Sequence, residues 1–266
     1  MTALRIDGAT RLYAIVGDPI AQVKSPEVFS ELFAVAGINA VMLPMRVLPD
    51  QFDTTIRALM RLGNLDGLLV TVPYKARAIA LADRLGLTAG RIGALNALRR
   101  EADGTWTGDM FDGKGFVHAA ERKGYSLRGR RVALFGAGGA GSAIACELAS
   151  TEVASLSIID PQRERARALS DVLQRVFPTC RVEAAESVPG DVDMLVNAST
   201  VGMRLEDDLP GEIGAIDPRT LVGDVVVSQE PTPLIRLAIR HNCPYVNGRD
   251  MHMGQSDALM SFFHPG

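Results

Sequence analysis

A glycine-rich turn in the middle of the chain has residue types and spacing that suit phosphate binding. Gly136, Gly138 and Gly141 follow a short apolar run and precede apolar residues at helical spacing, which predicts a strand, a turn and a helix. Gly136 permits a tight turn, Gly138 lets the backbone approach a pyrophosphate, and Gly141 lets the helix pack closely on the strand. Free N–H groups at the positive end of the helix dipole are expected to hold the phosphates. The predicted cofactor residues of this turn are Gly136, Ala137, Gly138, Gly139, Ala140 and Gly141.

Asp160 supplies a second feature of a dinucleotide site. It ends the apolar run that follows the predicted helix, so the stretch from Arg131 to Asp160 predicts one βαβ unit. A carboxylate at this position accepts hydrogen bonds from an adenosine ribose 2′-hydroxyl and repels a 2′-phosphate. The combination favours a dinucleotide site over a merely structural turn, and NAD over NADP.

Lys75 and Asp112 are candidates for proton transfer. Lys75 directly follows Thr71-Val72-Pro73 at a predicted strand end, the edge where parallel sheets place their sites. A lysine can act as an acid or base when burial or nearby positive charge lowers its pKa. Asp112 precedes Gly113 in a predicted turn. Considered alone, each residue is more often a solvated lysine at a helix start or a turn aspartate.

Alternating elements are predicted to position these residues in the first half of the chain. Ser25 is the expected N-cap of a helix that has Pro26 at its first position. The alternation predicts a parallel sheet with both faces covered. The predicted strands span 12–16, 40–47, 68–72, 92–99 and 105–108, and the predicted helices begin at 25 or span 51–62 and 74–85.

The second half of the chain predicts a doubly wound fold. A helix over 116–122 leads into the glycine turn, and a later helix spans 163–177. Further strands are predicted near 181–184, 194–197 and 221–227. We therefore expect an α/β protein with an N-terminal α/β substrate domain over 1–111, against which a C-terminal helix over 248–266 packs, and a Rossmann-type dinucleotide-binding domain over 112–247. Substrate and cofactor are expected to meet in a cleft between the domains.

Composition excludes several other classes of function. The net charge of −3 argues against nucleic acid or an anionic membrane as the main partner. Three cysteines without a CxxC pair indicate a reducing compartment, and four widely separated histidines argue against a metal site. The N-terminal segment 1–17 lacks the apolar region of a signal peptide, and no stretch approaches the roughly 20 apolar residues of a membrane span. A cytoplasmic protein is expected.

A series of short motifs, in order from residue 13 to residue 255, resembles the shikimate dehydrogenase family. The motifs are Gly17-Asp18-Pro19-Ile20, Lys24-Ser25-Pro26, Val70-Thr71-Val72-Pro73-Tyr74-Lys75, Gly93-Ala94-Leu95-Asn96, Gly108-Asp109 with Asp112-Gly113, the glycine turn, Asn197-Ala198-Ser199-Thr200 with Gly202-Met203, Thr232-Pro233-Leu234, and Gly248 with Met251 and Gln255.

The resemblance implies an NAD(P)-dependent dehydrogenase that interconverts 3-dehydroshikimate and shikimate or a related, quinate-like cyclic hydroxy acid. It implies that Lys75 is the acid/base and that Asp112 holds both Lys75 and the substrate in place. The implied substrate residues are Ser25, Thr71, Asn96 and Gln255, and those along the nicotinamide are Ala198, Thr200, Gly202 and Gly248. Alternative roles are the N-cap for Ser25, a strand-end amide for Asn96 and an exposed helix position for Gln255. The partners expected are a small carbocyclic hydroxy acid and a second copy of the chain in a homodimer.

Several positions depart from the family pattern. Hydrogen-bonding residues of the family are replaced at Val23, Leu69, Met110, Phe111 and Val227, and Gln22 stands where histidine is common. Each unmatched polar group on a buried ligand costs roughly 1–3 kcal/mol, so affinity for shikimate should fall unless Gln22 or Lys24 compensates. We hypothesise a paralogue that acts on a relative of shikimate or quinate with fewer or shifted polar groups.

Two further expectations concern the cofactor and an alternative function. NADP-using members of the family tend to show Asn-Arg-Thr where this chain has Asp160-Pro161-Gln162, which favours NAD, although Arg163 and Arg165 remain nearby. The alternative is a non-catalytic dinucleotide sensor on the same fold. Intact Lys75 and Asp112 speak against it, because a sensor needs neither.

Overall fold

A computed structural model of the chain describes residues 6–204, 206–228 and 230–265. The chain divides into two compact units, the first formed by residues 1–110 and 259–266 and the second by residues 111–258. The boundary expected from the sequence, after residue 111, lies one residue later. Residues 1–5 of the predicted N-terminal domain and Gly266 of the predicted C-terminal helix lie outside the described residues.

The sheet of the first unit is mixed. Its order is β2-β1-β3-β5-β6-β4, with β1 parallel to both β2 and β3 and β5 antiparallel to both β3 and β6. The predicted parallel sheet is therefore wrong for β5, because the turn at Gly104 joins β5 and β6 in a hairpin, with the Gly104 N–H bound to the Glu101 carbonyl. The strands are β1 (Arg11–Gly17), β2 (Ala40–Arg46), β3 (Leu65–Val70), β4 (Arg84–Leu85), β5 (Ala97–Arg100) and β6 (Trp106–Asp109).

The helices of the first unit are α1 (Ser25–Val35), α2 (Phe52–Leu59) and α3 (Leu87–Ile92). The helix predicted over 74–85 is wrong: the segment forms a short 3₁₀ helix, Arg77–Leu81, and then β4. Pairing with β6 overrides the helical pattern, since the Asp83 N–H donates to the Trp106 carbonyl at 2.8 Å. The strand predicted from residue 92 begins only at Ala97, because α3 includes Ile92 and is C-capped by Gly93, which has φ +66°.

The core of the first unit lies on both faces of this sheet. On one face the strands pack on α2 and on Tyr74, whose ring stacks on Phe52 with centroids 4.1 Å apart. On the other face the ring of Tyr13 contacts Phe33 of α1 and Phe263. Phe263 explains why the last residues of the chain group with the first unit.

The sheet of the second unit is parallel throughout, in the order β12-β11-β10-β7-β8-β9. This is the doubly wound order of dinucleotide-binding folds and confirms the predicted α/β class. The strands are β7 (Arg131–Phe135), β8 (Ser155–Ile159), β9 (Arg181–Ala184), β10 (Met194–Asn197), β11 (Leu221–Asp224) and β12 (Tyr245–Val246). β11 ends at Asp224, three residues earlier than the sequence pattern predicts.

The helices of this unit are α4 (Asp112–Arg122), α5 (Gly139–Ser150), α6 (Arg163–Val176), α7 (Pro233–Arg240) and α8 (Gly248–Phe263). α4 begins four residues before its predicted start, at Asp112 itself. The part of α8 up to Ala258 groups with the second unit and the part from Leu259 groups with the first, so not all of the predicted C-terminal helix packs with the first unit. Within the described ranges, no helix has the length and apolar character needed to cross a membrane.

Candidate active site

One edge of the first unit's sheet gathers three of the predicted site residues. Thr71 follows β3, and its N–H donates to the Val16 carbonyl of β1 at 2.9 Å. Asn96 precedes β5, and its carbonyl accepts the Val70 N–H at 2.8 Å. Because β5 is antiparallel to β3, its start lies beside the carboxyl end of β3. Thr71 and Asn96 are therefore placed at the predicted edge.

Lys75 is held at the same edge by its backbone. Its carbonyl accepts the N–H of Leu95, the residue before Asn96, at 2.9 Å, and its side chain is half-buried. The preceding loop is tied to β1, because the Val72 carbonyl accepts the Asp18 N–H at 3.0 Å. This backbone hydrogen bond brings Lys75 close to Asn96 in the first unit.

Gly17 is a positioning residue that the sequence motif alone does not mark as one. A Cβ at Gly17 would collide with the Thr71 side chain and lie 3.0 Å from the Val72 carbonyl oxygen. β1 and the loop after β3 can approach this closely only because residue 17 is glycine. The signal was present in the sequence, since Gly17 directly follows an apolar run.

Ser25 is not the N-cap of α1. Lys24 occupies the cap position, no side chain caps the helix, and the Val28 N–H already donates to the Lys24 carbonyl at 3.1 Å. Ser25 is the first helical residue and is only 2% exposed. The prediction of a cap was wrong because the helical hydrogen bonds begin one residue earlier than the Ser-Pro pair suggests.

The glycine turn of the second unit has the predicted geometry. Gly136 has φ +97°, and a Cβ there would lie 2.9 Å from the Ser199 nitrogen. A Cβ at Gly141 would collide with the Gly136 carbonyl, whereas a Cβ at Gly138 would meet nothing within 4 Å. No packing within the described chain requires glycine at 138, and the space beside it is open. α5 begins at Gly139 without a side-chain cap, which leaves its first N–H groups suited to an anion.

Asp160 is bonded to the glycine turn itself. Its Oδ2 accepts the Ala137 N–H at 2.7 Å, and its Oδ1 accepts the Gln162 N–H at 2.8 Å. The carboxylate retains further lone pairs for a ribose hydroxyl. Asp160 is therefore both an anchor of the turn and a candidate cofactor ligand.

The loop after β10 lies beside this turn. β7 and β10 are neighbours where the strand order reverses, which is where doubly wound sheets bind their ligands. The Ala198 N–H donates to the Phe135 carbonyl of β7 at 2.8 Å. Thr200 and Gly202 follow in the same loop, and Gly202 has φ +98°. The structure thus brings Ala198 to the glycine turn.

Gly248 begins α8 and packs against the segment after β11. A Cβ at this position would lie 2.5 Å from the Val226 carbonyl oxygen and 2.7 Å from that of Val225. Its small size is therefore required by the chain's own backbone, whatever ligand is bound nearby.

Asp112 and Gln255 are positioned by close glycine contacts of α4. A Cβ at Gly113 would collide with the Ala143 carbonyl of α5, the helix that begins in the glycine turn. A Cβ at Gly115 would lie 2.8 Å from Cβ of Gln255 on α8. Asp112, at the start of α4, is 3% exposed, and Gln255 is also buried. The second unit therefore connects Asp112, Gln255 and the helix of the glycine turn through α4.

The buried position of Gln255 excludes the alternative of an exposed helix residue. Its Nε2 lies 3.1 Å from Nδ1 of His252, one turn earlier on α8. His252 is one of the four widely separated histidines, and nothing in its spacing along the sequence indicates this contact.

The residues that depart from the family pattern are mostly buried. Leu69 lies in β3 between Ile15 and Ala97, and Met110 and Phe111 are buried too, whereas Val227 is 41% exposed. The Gln22 side chain contacts its own loop, where its Nε2 donates to the Pro19 carbonyl at 3.0 Å. The Nζ of Lys24 lies 3.9 Å from Oε2 of Glu27.

Metal ligation has no candidate in the part of the chain that the structure describes. These residues contain no group of three or more histidine, cysteine, aspartate or glutamate side chains that could hold an ion. The three cysteines are buried and unbridged.

Known proteins similar to this chain agree with its fold and motifs. A family model described as "Shikimate dehydrogenase substrate binding domain" matches residues 15–98. The chain is 36% identical over 262 residues to the shikimate dehydrogenase (NADP(+)) of Rubrobacter xylanophilus, covering 96% of this chain and 91% of the relative. These similarities confirm the resemblance inferred from the motifs.

Two solved structures are similar over nearly the whole chain. The shikimate 5-dehydrogenase of Listeria monocytogenes, in complex with shikimate and NAD, has a TM-score of 0.86 at 26% identity and covers 97% of this chain and 93% of that chain. The quinate dehydrogenase of Corynebacterium glutamicum, in complex with NAD, has a TM-score of 0.84 at 25% identity, with coverages of 97% and 94%.

Proposed function

We propose that this chain, which belongs to the shikimate dehydrogenase family, is an NAD(P)-dependent oxidoreductase that interconverts a hydroxyl and a ketone on a carbocyclic acid of the shikimate or quinate type. The observation that carries the proposal is the glycine turn at the switch point of the second unit's sheet, bonded to Asp160. Gly138, which has no packing reason to be glycine, and the uncapped start of α5 fit a dinucleotide pyrophosphate. A nicotinamide dinucleotide bound there supplies the acceptor or donor of the hydride.

The cofactor that this site favours is NAD. The Asp160 carboxylate suits a ribose 2′-hydroxyl and opposes a 2′-phosphate. Of the two nearby arginines, Arg163 is paired with Glu186, which reduces its availability to a phosphate. The proposed preference is argued from Asp160, because similar solved structures are in complex with NAD or with NADP and the Rubrobacter relative is named for NADP(+). The preference would distinguish this chain from that relative.

The transfer of the hydroxyl proton is assigned to Lys75. An alcohol that loses hydride must also lose its hydroxyl proton, and Lys75 lies half-buried at the sheet edge beside Asn96 with an amine that can accept and return it. Asp112 is assigned the role of orienting the reacting group, since it is buried at a helix start fixed by Gly113. Ser25, Thr71, Asn96 and Gln255 are assigned to substrate binding.

The substrate is proposed to carry fewer or shifted polar groups compared with shikimate. Leu69, Met110 and Phe111 are buried and cannot hydrogen-bond through their side chains, whereas the family has polar residues at these places. Gln22 is bonded to its own loop and Lys24 lies near Glu27, so the structure gives neither side chain a compensating role.

Steady-state assays of NAD(P)H absorbance test this function. A panel of shikimate, quinate and carbocyclic acids with fewer ring hydroxyls is offered with NAD⁺ and with NADP⁺. We expect turnover with at least one member, and a loss of about 10²-fold or more in kcat for Lys75→Ala, the contribution of a general acid/base. Lys123→Ala is the matched control, because Lys123 pairs with Asp250 on the surface and should leave kcat unchanged.

Each outcome bears on a different part of the proposal. NADH binding without turnover on the whole panel would favour the non-catalytic sensor. Near-normal kcat in Lys75→Ala would exclude the assigned proton transfer. Efficient turnover of shikimate with a low KM would exclude the altered substrate while leaving the reaction class intact.

A further inference from the structure

Asp224 is a buried carboxylate at the end of β11 that has no part in the proposed chemistry. It is 1% exposed. Its Oδ1 accepts Nδ2–H of Asn197 at 3.1 Å and the Val226 N–H at 3.0 Å, and its Oδ2 accepts the Thr232 hydroxyl at 2.6 Å. Burying a carboxylate costs free energy unless donors surround it, so this arrangement requires a structural or functional reason.

Asn197 transmits the position of Asp224 to the loop after β10. Its Nδ2 also donates to the Val201 carbonyl at 2.9 Å, and its Oδ1 accepts the N–H and the hydroxyl of Ser199 at 3.1 and 2.7 Å. The Ser199 Oγ in turn accepts the Val201 N–H at 3.1 Å. The loop that carries Ala198 and Thr200 is therefore held by hydrogen bonds to the side-chain amide of Asn197, and Asp224 orients this amide.

Thr232 connects the same carboxylate to α7. Its Oγ1 accepts the Ile235 N–H at 3.3 Å and so caps this helix. Gly202, at the far end of the loop, packs beside it: a Cβ at Gly202 would lie 3.4 Å from Cβ of Thr232. Asp224 thus holds both Asn197 at the start of the loop and Thr232 beside its end.

We propose that Asp224 is a positioning residue for the cofactor site: through Asn197 and Thr232 it fixes the loop from Ala198 to Gly202 against the glycine turn, and the nicotinamide half of the cofactor depends on this loop. The inference rests on the proposed function. The loop and the glycine turn are in contact where Gly136 approaches Ser199, since a Cβ at residue 136 would lie 2.9 Å from the Ser199 nitrogen.

The ionisation of Asp224 links this arrangement to pH. Burial raises the pKa of Asp224 to about 6, and the hydrogen bonds from Thr232, Val226 and Asn197 act in the opposite direction. These donors come from the N-cap of α7, from the segment just after β11 and from β10, and all are neutral. A protonated carboxyl is a weaker acceptor, and its O–H must replace one of the donors, so the loop is held less firmly as the pH falls through about 6.

Two ligands distinguish positioning of the loop from general damage. NADH tests the whole site, and ADP, which lacks the nicotinamide half, tests the glycine turn and Asp160. For Asp224→Ala in the full chain we expect the Kd of NADH to rise about tenfold, or about 1.4 kcal/mol, while the Kd of ADP changes less than about twofold. Asp224→Asn keeps an acceptor for Asn197 and Val226 but places a donor where the carboxylate accepts the Thr232 hydroxyl, so above pH 6 it should bind NADH less tightly than the wild type, as the protonated wild type does.

The pH profile and a matched control complete the experiment. In the wild type the Kd of NADH should rise as the pH falls, with a midpoint near the Asp224 pKa of about 6, and this step should be absent from Asp224→Asn. Asp193→Asn is the control, because Asp193 accepts the Arg131 N–H at 2.9 Å just before β10, at the opposite end of the same strands. It should lower the melting temperature and leave both dissociation constants unchanged.

The results separate this inference from the proposed function. If Asp224→Ala binds NADH like the wild type, or loses affinity for NADH and ADP equally, the positioning role is excluded and the proposed function stands. If the wild type binds neither NADH nor NADPH, both fail. Should Asp224→Ala not fold, Thr232→Val removes one donor to the carboxylate and is expected to raise the Kd of NADH about threefold, again without affecting ADP.

Discussion

Asp160 combines two tasks in one carboxylate. Its oxygens accept the N–H groups of Ala137 and Gln162, so it shapes the glycine turn. The same negative charge lies where the ribose of a dinucleotide is expected. A substitution at this position therefore changes cofactor choice, turn geometry or both, according to what the new side chain can still accept.

Asp160→Asn should weaken the preference for NAD. The amide oxygen retains an acceptor for a backbone N–H, while the charge that repels a 2′-phosphate is removed. We expect the ratio of kcat/KM for NAD to that for NADP to fall about tenfold, equivalent to about 1.4 kcal/mol. Steady-state kinetics with both cofactors measure this ratio. Asp171→Asn, on the exposed surface of α6, is the control, and an unchanged ratio in Asp160→Asn would contradict the assigned role.

Some site residues could be predicted from sequence and others could not, for physical reasons. Gly136, Gly141 and Asp160 follow rules of local geometry, and the structure places them as expected. Lys75 and Asp112 have side chains common on any surface, and only the order of motifs selected them. The cap assigned to Ser25 was wrong because a Ser-Pro pair fixes the start of a helix only to within a residue.

At the scale of elements, α4 matters because its glycines let two helices approach it. Gly113 lies against the Ala143 carbonyl of α5. A Cβ at Gly115 would lie 2.6 Å from the Met251 carbonyl oxygen of α8, which leaves no room for a side chain. Asp112 directly precedes Gly113, so the packing of α4 on α5 determines where this carboxylate lies.

Gly113→Ala should disturb both stability and catalysis. The added Cβ would force α4 away from α5, and overpacking of this kind costs about 1–3 kcal/mol of unfolding free energy. Because Asp112 moves with α4, kcat should fall in addition. Urea unfolding and steady-state kinetics measure the two effects.

Gly90→Ala is the matched control for this variant. Gly90 lies within α3, where a Cβ would meet nothing within 4 Å, and alanine there should raise stability by about 0.4–1 kcal/mol. Normal kcat and normal stability in Gly113→Ala would show that α4 does not position Asp112.

Elements were predicted well where local pattern and tertiary pairing agree. The strands of the second unit are buried on both faces and appear as apolar runs, which is how parallel strands are recognised. The helix predicted over 74–85 failed because residues 83–86 bond to β6 instead, at a distance along the chain that no local pattern reports.

For the whole molecule, the proposed function places the dinucleotide on the second unit and most of the substrate residues on the first, while Asp112 and Gln255 belong to the second. The strand order of the second unit could be expected from the glycine turn. In doubly wound folds the order in which strands are added to the sheet reverses beside the first strand, which here is β7. The antiparallel β5 of the first unit could not, since a hairpin at Gly104 is compatible with either a separate ribbon or a mixed sheet.

Hydrogen exchange of the full chain tests this assignment of ligands. NADH at about 100 times its Kd should stabilise the region that binds it by about 2.7 kcal/mol. We expect slower exchange in residues 136–142 and 197–203 of the second unit with NADH, and in residues 71–75 and 95–97 of the first unit with a carbocyclic acid that is turned over. ADP serves as the control, because it should protect the glycine turn and leave 197–203 exchanging as in the free protein. Protection of 71–75 by NADH with none at the glycine turn would contradict the assignment, since a dinucleotide bound at the start of α5 must slow exchange of the N–H groups that hold its phosphates.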